Sequence, residues 1–308
     1  MKLTSVARKV LETNLGLKEN ETFLVITDPS KKSIGEALFV AGSEKTQTVL
    51  AMIADEPPEA LALMWKKVDV FLAVTEKSLT HTRARIEATK AGARGATLPG
   101  ITEDIFMKTL NIDYLKVQEY VKRMASAMRG NNVKLISESG TDLNLTITGR
   151  RLFLDTGILT EKGAFGNLPA GEVCVSPVEG STEGTLVFDG SLAGIGKLNE
   201  PVMLEIKRGY VTDIDGGNEA TKLRNLLENK GSEVFNIAEL GVGCNPAATI
   251  MGNVLVDEKV YKTVHIGLGD NTAFGGGVKA DLHLDGVIMN PTLIVDEKTV
   301  IEEGEWKI

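Results

Sequence analysis

ETFLVITD (residues 21–28), SKKSIGEALFVAGSEK (30–45) and TQTVLAMI (46–53) follow one another with short joints, and this succession decides the fold class. The first and third are short, apolar and β-branched, as buried strands are, while the second has its apolar residues at helical spacing. The alternation continues. PPEALALMWKKV (57–68) predicts a helix with proline at its start, DVFLAVTE (69–76) a strand, and HTRARIEATKAG (81–92) a helix closed by glycine. GATLPG (95–100) predicts a short strand. ITEDIFMKTL (101–110) opens with Thr102 beside acidic residues, which suits a helix N-terminus, and DYLKVQEYVKRMASAMRG (113–130) is helical. Strands and helices alternating at these lengths predict an α/β domain with a mostly parallel sheet.

Beyond residue 130 the chain reads differently. VKLISES, DLNLTIT, RLFLDTG, GEVCVSPVEG, GTLVFDGS and VMLEIKRGYVTDIDGG are strands separated by turn residues, as is the closing GVIMNPTLIVDEKTVIEEG. NEATKLRNLLENKG (218–231) interrupts as a helix, and ATIMGNVLVDEKV (248–260) is a second helical stretch. Composition shifts at the same place. Residues 1–130 hold 7 of the 32 glycines and 19 Lys+Arg against 16 Asp+Glu; the remainder holds 15 against 26, so the acid is concentrated there. The expected organisation is an α/β domain over 1–130 and an α+β, β-rich, metal-binding domain over 131–308, without internal repeats.

The formal charge of −8 over 308 residues leaves no basic stripe for nucleic acid. No apolar run reaches the length of a membrane span, and the first 20 residues lack an apolar signal core, so the expected compartment is the cytoplasm. Cys174 and Cys244 are too few for a disulfide framework and are expected as buried thiols, with Cys174 two residues from Glu172 on one strand. No serine sits in a Gly-x-Ser-x-Gly elbow, and the Gly-x-Gly pairs in GLGD and GVGC lack dinucleotide-binding spacing.

The chemistry-bearing residues are few. His283 and Asp285, in KADLHLDGV, are two apart and point to one face of a strand, where both can hold one divalent ion; a polar surface strand reads the same way. His265 ends an apolar run, in VYKTVHIGLGDN, which also suits a hydrogen-bonded core histidine. Glu172 in FGNLPAGEVCVSP and Glu239 in VFNIAELGVGCNP are lone acids in apolar, glycine-rich strands. Facing inward, each needs a cation or a metal; facing outward, neither does. Two histidines and three carboxylates suffice for two divalent ions sharing a carboxylate and activating water. Asp270 and Asn271 are weaker candidates, for substrate contact or as turn residues. His81, near Arg83 and Arg85, starts a helix and either faces solvent or receives a substrate carboxylate.

NLPAGEVCVSPVEGSTEGTLVFDGS (167–191), NIAELGVGCNP (236–246), VHIGLGDN (264–271) and HLDGVI (283–288), with ATKAGARGATLPGITEDIF (88–106), resemble the aminopeptidase T / aminopeptidase S family of metallopeptidases in content and order. The resemblance implies a homodimeric exopeptidase acting on peptide substrates with zinc, cobalt or possibly manganese, in a pair of ions. It implies Glu172, Glu239, His265, His283 and Asp285 as ligands, Glu239 as the bridging catalytic carboxylate, and metal-bound water as nucleophile. One departure is visible. The family carries a tyrosine soon after the histidine that matches His265, whereas IGLGDNTAFGGG (266–277) has none and Tyr261 precedes His265.

Two alternatives stand beside the aminopeptidase. A ring-cleaving dioxygenase of pyridine diols is similar to the same fold, and it would hold one non-haem iron through His265, His283 and Asp285. The other is a non-catalytic homologue that keeps the scaffold and binds metal or a small ligand.

Overall fold

The structure, a computed structural model, describes residues 2–308. Five parallel strands form the sheet of the first unit, in the order Gln47–Met52, Thr22–Thr27, Val70–Val74, Arg94–Thr97 and Phe165–Asn167. Val70–Val74 is buried along its whole length, which is why it reads as a continuous apolar run. The helix Lys32–Ser43 lies close against its sheet because two positions lack a side chain. A Cβ at Gly35 would fall 2.8 Å from Thr27, and one at Gly42 would fall 2.5 Å from Phe23. Trp65 and Phe71, both fully buried and edge-to-face at 5.0 Å, centre the core. Thr102 caps the helix Glu103–Thr109 as its sequence predicts; Thr82 caps Arg83–Ala91, which Gly92 ends as predicted, at φ 111°.

Two features of this unit depart from the expected elements. Leu3–Lys9 is a helix that widens into π-type turns over Val10–Asn14, in a stretch read only for a leader. Its following turn is held by Arg94, whose buried guanidinium donates to Leu15 O, Gly16 O and the Glu21 carboxylate. The fifth strand, Phe165–Asn167, comes from beyond residue 130. The chain divides as Met1–Gln118 with Thr156–Ala170, and Glu119–Asp155 with Gly171–Ile308. Against the expected 1–130 and 131–308, the first crossing falls inside the helix Tyr114–Ala127, and a short excursion returns to the parallel sheet.

The second unit holds two antiparallel sheets. The larger runs Tyr210–Gly216, Val202–Lys207, Glu183–Phe188, Asp142–Thr146, Asn132–Ile136, Thr292–Val295, Lys298–Glu302, Glu305–Trp306. The smaller, seven-stranded sheet runs Gly196–Lys197, Ser191–Leu192, His283–Ile288, Val264–Gly269, Ile237–Gly243, Glu172–Val175, Phe153–Asp155. The helix Asn218–Leu227 forms as predicted. The stretch 248–260 is helical only over Val254–Asp257, because the buried Asp257 carboxylate turns back to accept the Met251 and Gly252 N–H groups. The α/β first part and antiparallel, sheet-rich second part are the fold class the sequence predicts. Among the described residues no helix is long and apolar enough to cross a membrane.

Candidate metal centre

Strand alternation builds the site. In the seven-stranded sheet, Val173, Val175, Leu240, Val242, Val264, Ile266 and Ile288 point to one face, where Phe188 of the larger sheet packs flat over Gly286. The intervening residues point to the other face. In register across the strands, Asp155, Glu172 and Gly243 form one row; Cys174, Gly241 and His265 a second; Glu239, Gly267 and Asp285 a third; Gly269 and His283 a fourth. All five expected ligands therefore share one face, separated by glycines.

The glycines make the rings fit. A Cβ at Gly241 would lie 1.9 Å from His265 Nε2, and one at Gly267 would lie 2.8 Å from the His283 ring and 2.9 Å from Glu239 Cβ. Each imidazole thus lies across a neighbouring strand where no side chain stands, which brings both rings to Glu239. His265 Nε2 is 3.4 Å from Glu239 Oε1 and 3.4 Å from Glu172 Oε2. His283 Nε2 is 3.0 Å from Glu239 Oε2 and 3.1 Å from Asp285 Oδ1. The donors form two trios, Glu172–Glu239–His265 and Glu239–His283–Asp285, each with ligand atoms within 4.8 Å of one another and Glu239 common to both. The inner trio is buried; in the outer one the His283 side chain is 25% exposed.

His283 Nδ1 is 2.7 Å from the Asp270 carbonyl, which can only accept, so Nδ1 carries a proton and Nε2 faces the cluster. Burial opposes ionisation of Glu239, but hydrogen bonds from His265 and His283 hold its carboxyl well below the usual range. Burial pulls His265 down, yet Glu239 and Glu172 raise it to about 9. Burial pushes Glu172 up to about 7 in spite of Lys259. Glu172 Oε2 is buried with no hydrogen-bond partner, although it lies within the inner trio. The imidazole and two carboxylates of Glu239, His283 and Asp285, with ligand atoms within 4.8 Å of one another, fit a divalent cation. The metal-binding capacity expected of the second part is therefore present in its donor chemistry.

The other expected residues sit as follows. Asp270 accepts from the Thr272 and Ala280 N–H groups, and the fully buried Asn271 donates to Ser176 Oγ and Glu179 Oε1, so both side chains build the loop after Val264–Gly269. Tyr261 packs at a tilt against Tyr120 and Trp306, with ring centroids 5.4 and 4.5 Å away, in a three-ring cluster. His81 is exposed ahead of the helix that Thr82 caps. Both cysteines are buried and free, with Cys174 on the donor face and its thiol pushed up by burial and by Glu239.

Sequence reasoning missed Lys259, Glu258 and Asp155. Lys259 is 3% exposed and bonds Glu172 Oε1 at 2.5 Å and Glu258 Oε1 at 2.7 Å. In VDEKV a lysine after two acids reads as a solvated helix end. Asp155, in the strand RLFLDTG, pairs across from Glu172 on the outermost strand, a register that only the structure shows.

The fold and donor cluster define a scaffold of an α/β unit followed by an antiparallel unit that presents nitrogen and oxygen ligands on one sheet face. The chain belongs to the NicX family, 2,5-dihydroxypyridine 5,6-dioxygenase, whose family model matches residues 3–307. It is 31% identical over 182 residues to the 2,5-dihydroxypyridine 5,6-dioxygenase of Pseudomonas putida KT2440; the match covers 55% of this chain and 52% of that protein, about half of the curated relative. Its fold is similar to the solved 2,5-dihydroxypyridine dioxygenase of the same organism, with a TM-score of 0.80, 22% identity, and 99% and 96% of the two chains covered. It is also similar to AmpT of Thermus thermophilus, with a TM-score of 0.74, 17% identity, and 99% of each chain covered.

These findings correct the functional expectation. The aminopeptidase resemblance holds at the level of the fold, but the family match is to a dioxygenase, so the metalloaminopeptidase activity and the hydrolase and protease description are overturned. The motifs that suggested a peptidase are the donor-bearing strands themselves. A donor scaffold does not specify the reaction performed on it.

Proposed function

We propose that this protein is a metal-dependent dioxygenase that opens the ring of a hydroxylated pyridine. The observation that carries the reading is the family match across residues 3–307. The donor cluster supports it by supplying one imidazole and two carboxylates in the partly open trio Glu239, His283 and Asp285, with His265 and Glu172 behind. Ferrous iron, when bound, supplies the one-electron chemistry that reaction with O2 requires. The zinc or cobalt pair implied by the peptidase resemblance suits water activation instead, and zinc has no redox chemistry.

The chain's own groups have definable tasks in this reading. The Asp270 carbonyl orients His283 so that Nε2 is the ligating atom. Glu239 stays a carboxylate under the influence of both imidazoles. Phe274 lies 5.3 Å from the His283 ring and is edge-to-face with Phe153 at 5.8 Å. This aromatic wall beside the most exposed donor suits a planar heteroaromatic substrate. Glu172, near 7, is poised to take up or release a proton at Oε2 at neutral pH.

The test is oxygen uptake by protein loaded anaerobically with ferrous iron, with 2,5-dihydroxypyridine as substrate and ring absorbance followed in parallel. The expected result is one O2 consumed for each ring lost, and neither change before iron is added. Iron-loaded protein that consumes no O2 with any dihydroxypyridine isomer overturns the reading.

A further inference from the structure

Lys259 shares one residue, Glu172, with the inner trio Glu172–Glu239–His265. Its ammonium is 2.5 Å from Glu172 Oε1, 2.7 Å from Glu258 Oε1 and 3.8 Å from Asp155 Oδ2. Three carboxylates around one buried cation is a coordination pattern typical of hard divalent ions. The fold delivers the lysine there deliberately. A Cβ at Gly243, which pairs with Glu172, would lie 2.0 Å from Val260 O, so the bare strand lets the backbone at 259–260 settle onto the sheet. Hydrogen bonds from Asn245 N to Lys259 O and from Tyr261 N to Asn245 O then pin the segment.

We infer that Lys259 is a built-in cation that limits the cluster to one divalent ion, confined to the outer trio Glu239, His283 and Asp285. The inference rests on the metal-binding reading of the cluster. Glu172 gives Oε1 to the ammonium and keeps only Oε2 for the inner trio. A divalent ion there would share one carboxylate with a buried positive charge, in surroundings that screen poorly. The outer trio has no such neighbour in its ligand set, and its second histidine nitrogen is already fixed by the Asp270 carbonyl. Lys259 is thus a positioning residue: it sets the number and place of the ions without being a ligand.

The experiment titrates chelator-treated full-length protein with manganese(II), reading stoichiometry by calorimetry and ion coupling by electron paramagnetic resonance. Wild type is expected to take one ion per chain with an uncoupled six-line spectrum. K259M is expected to take two, with a spin-coupled spectrum because Glu239 bridges them, and K259R one. A wild type that binds two ions overturns the inference while leaving the metal reading intact, as does a folded K259M that still binds one. Wild type that binds none overturns the metal reading and this inference with it. Should K259M not fold, E172Q decides. The ion in the outer trio should lose affinity by only about tenfold, as for loss of an outer-shell partner. Abolished binding would put the ion in the inner trio and overturn the inference.

Discussion

Glu239 touches both imidazoles, one with each oxygen, and no other residue belongs to both trios. Its replacement by glutamine keeps the shape and removes the charge. E239Q is expected to lower divalent-metal affinity by about 100-fold or more, beyond the upper range for loss of an outer-shell partner, with an unchanged far-ultraviolet circular dichroism spectrum. Near-wild-type affinity would remove Glu239 from the ligand set. The protonation of its neighbours gives a second prediction. In the metal-free protein, burial raises Glu172 and Glu258 from 4.5 to about 7, and Glu239 and Glu172 raise His265 from 6.5 to about 9 against burial. All three hold protons more tightly folded than unfolded. Their contribution is full below 4.5 for the acids and below 6.5 for His265, and it is lost as pH rises through 7 and 9. The urea midpoint of chelated protein should therefore fall from pH 5 to pH 9. A metal held by Glu239, His283 and Asp285 places positive charge beside His265 and Glu172 and disfavours their protons, so the stabilisation it confers should grow over the same range. A midpoint of the chelated protein that rises with pH would contradict the assignment.

At the scale of the strand, alternation matters more than any one ligand. Glu172, Glu239, His265, His283 and Asp285 occupy alternate positions, and the apolar residues between them form the opposite face. The glycines on the donor face are therefore as constrained as the donors. G241A would drive a methyl into His265 Nε2 and is expected to cost about 1–3 kcal/mol, as overpacking does, and to weaken metal binding. G35A, against Thr27 in the parallel sheet, should cost a similar amount and leave metal affinity alone. Equal metal affinity in G241A would show that the ring has room to move aside. This pattern also explains what was legible. The donors stand out in sequence because acids and histidines are rare in apolar strands, and the elements of the first unit because their periods are regular. Lys259 was not legible, because its burial depends on a glycine in a different strand, Gly243. The reaction was not legible either, since peptidase and dioxygenase readings draw on the same donor face.

Across the molecule, the excursion 156–170 matters most. It adds the edge strand Phe165–Asn167, and Asn167 Oδ1 accepts from the hydroxyls of Thr97 and Thr80. In sequence, GAFGNLPAG is too short and too rich in glycine to read as a parallel strand. A fragment ending at residue 130 lacks this strand and leaves Arg94–Thr97 as an open edge. It is expected to give a poorly dispersed amide NMR spectrum. Joining 1–118 to 156–170 through a flexible linker should restore dispersion, and a well-dispersed 1–130 fragment would show the fifth strand to be dispensable.

The same excursion bears on ancestry. Because the chain passes between its two units at 118–119, 155–156 and 170–171, no single recombination breakpoint can separate one unit from the other. A gene shuffled once between residues 118 and 165 inherits the first four parallel strands from one parent and the last strand from the other. Lineages of this scaffold are therefore expected to diversify by substitution on the donor face and in the loops, and seldom by swapping halves.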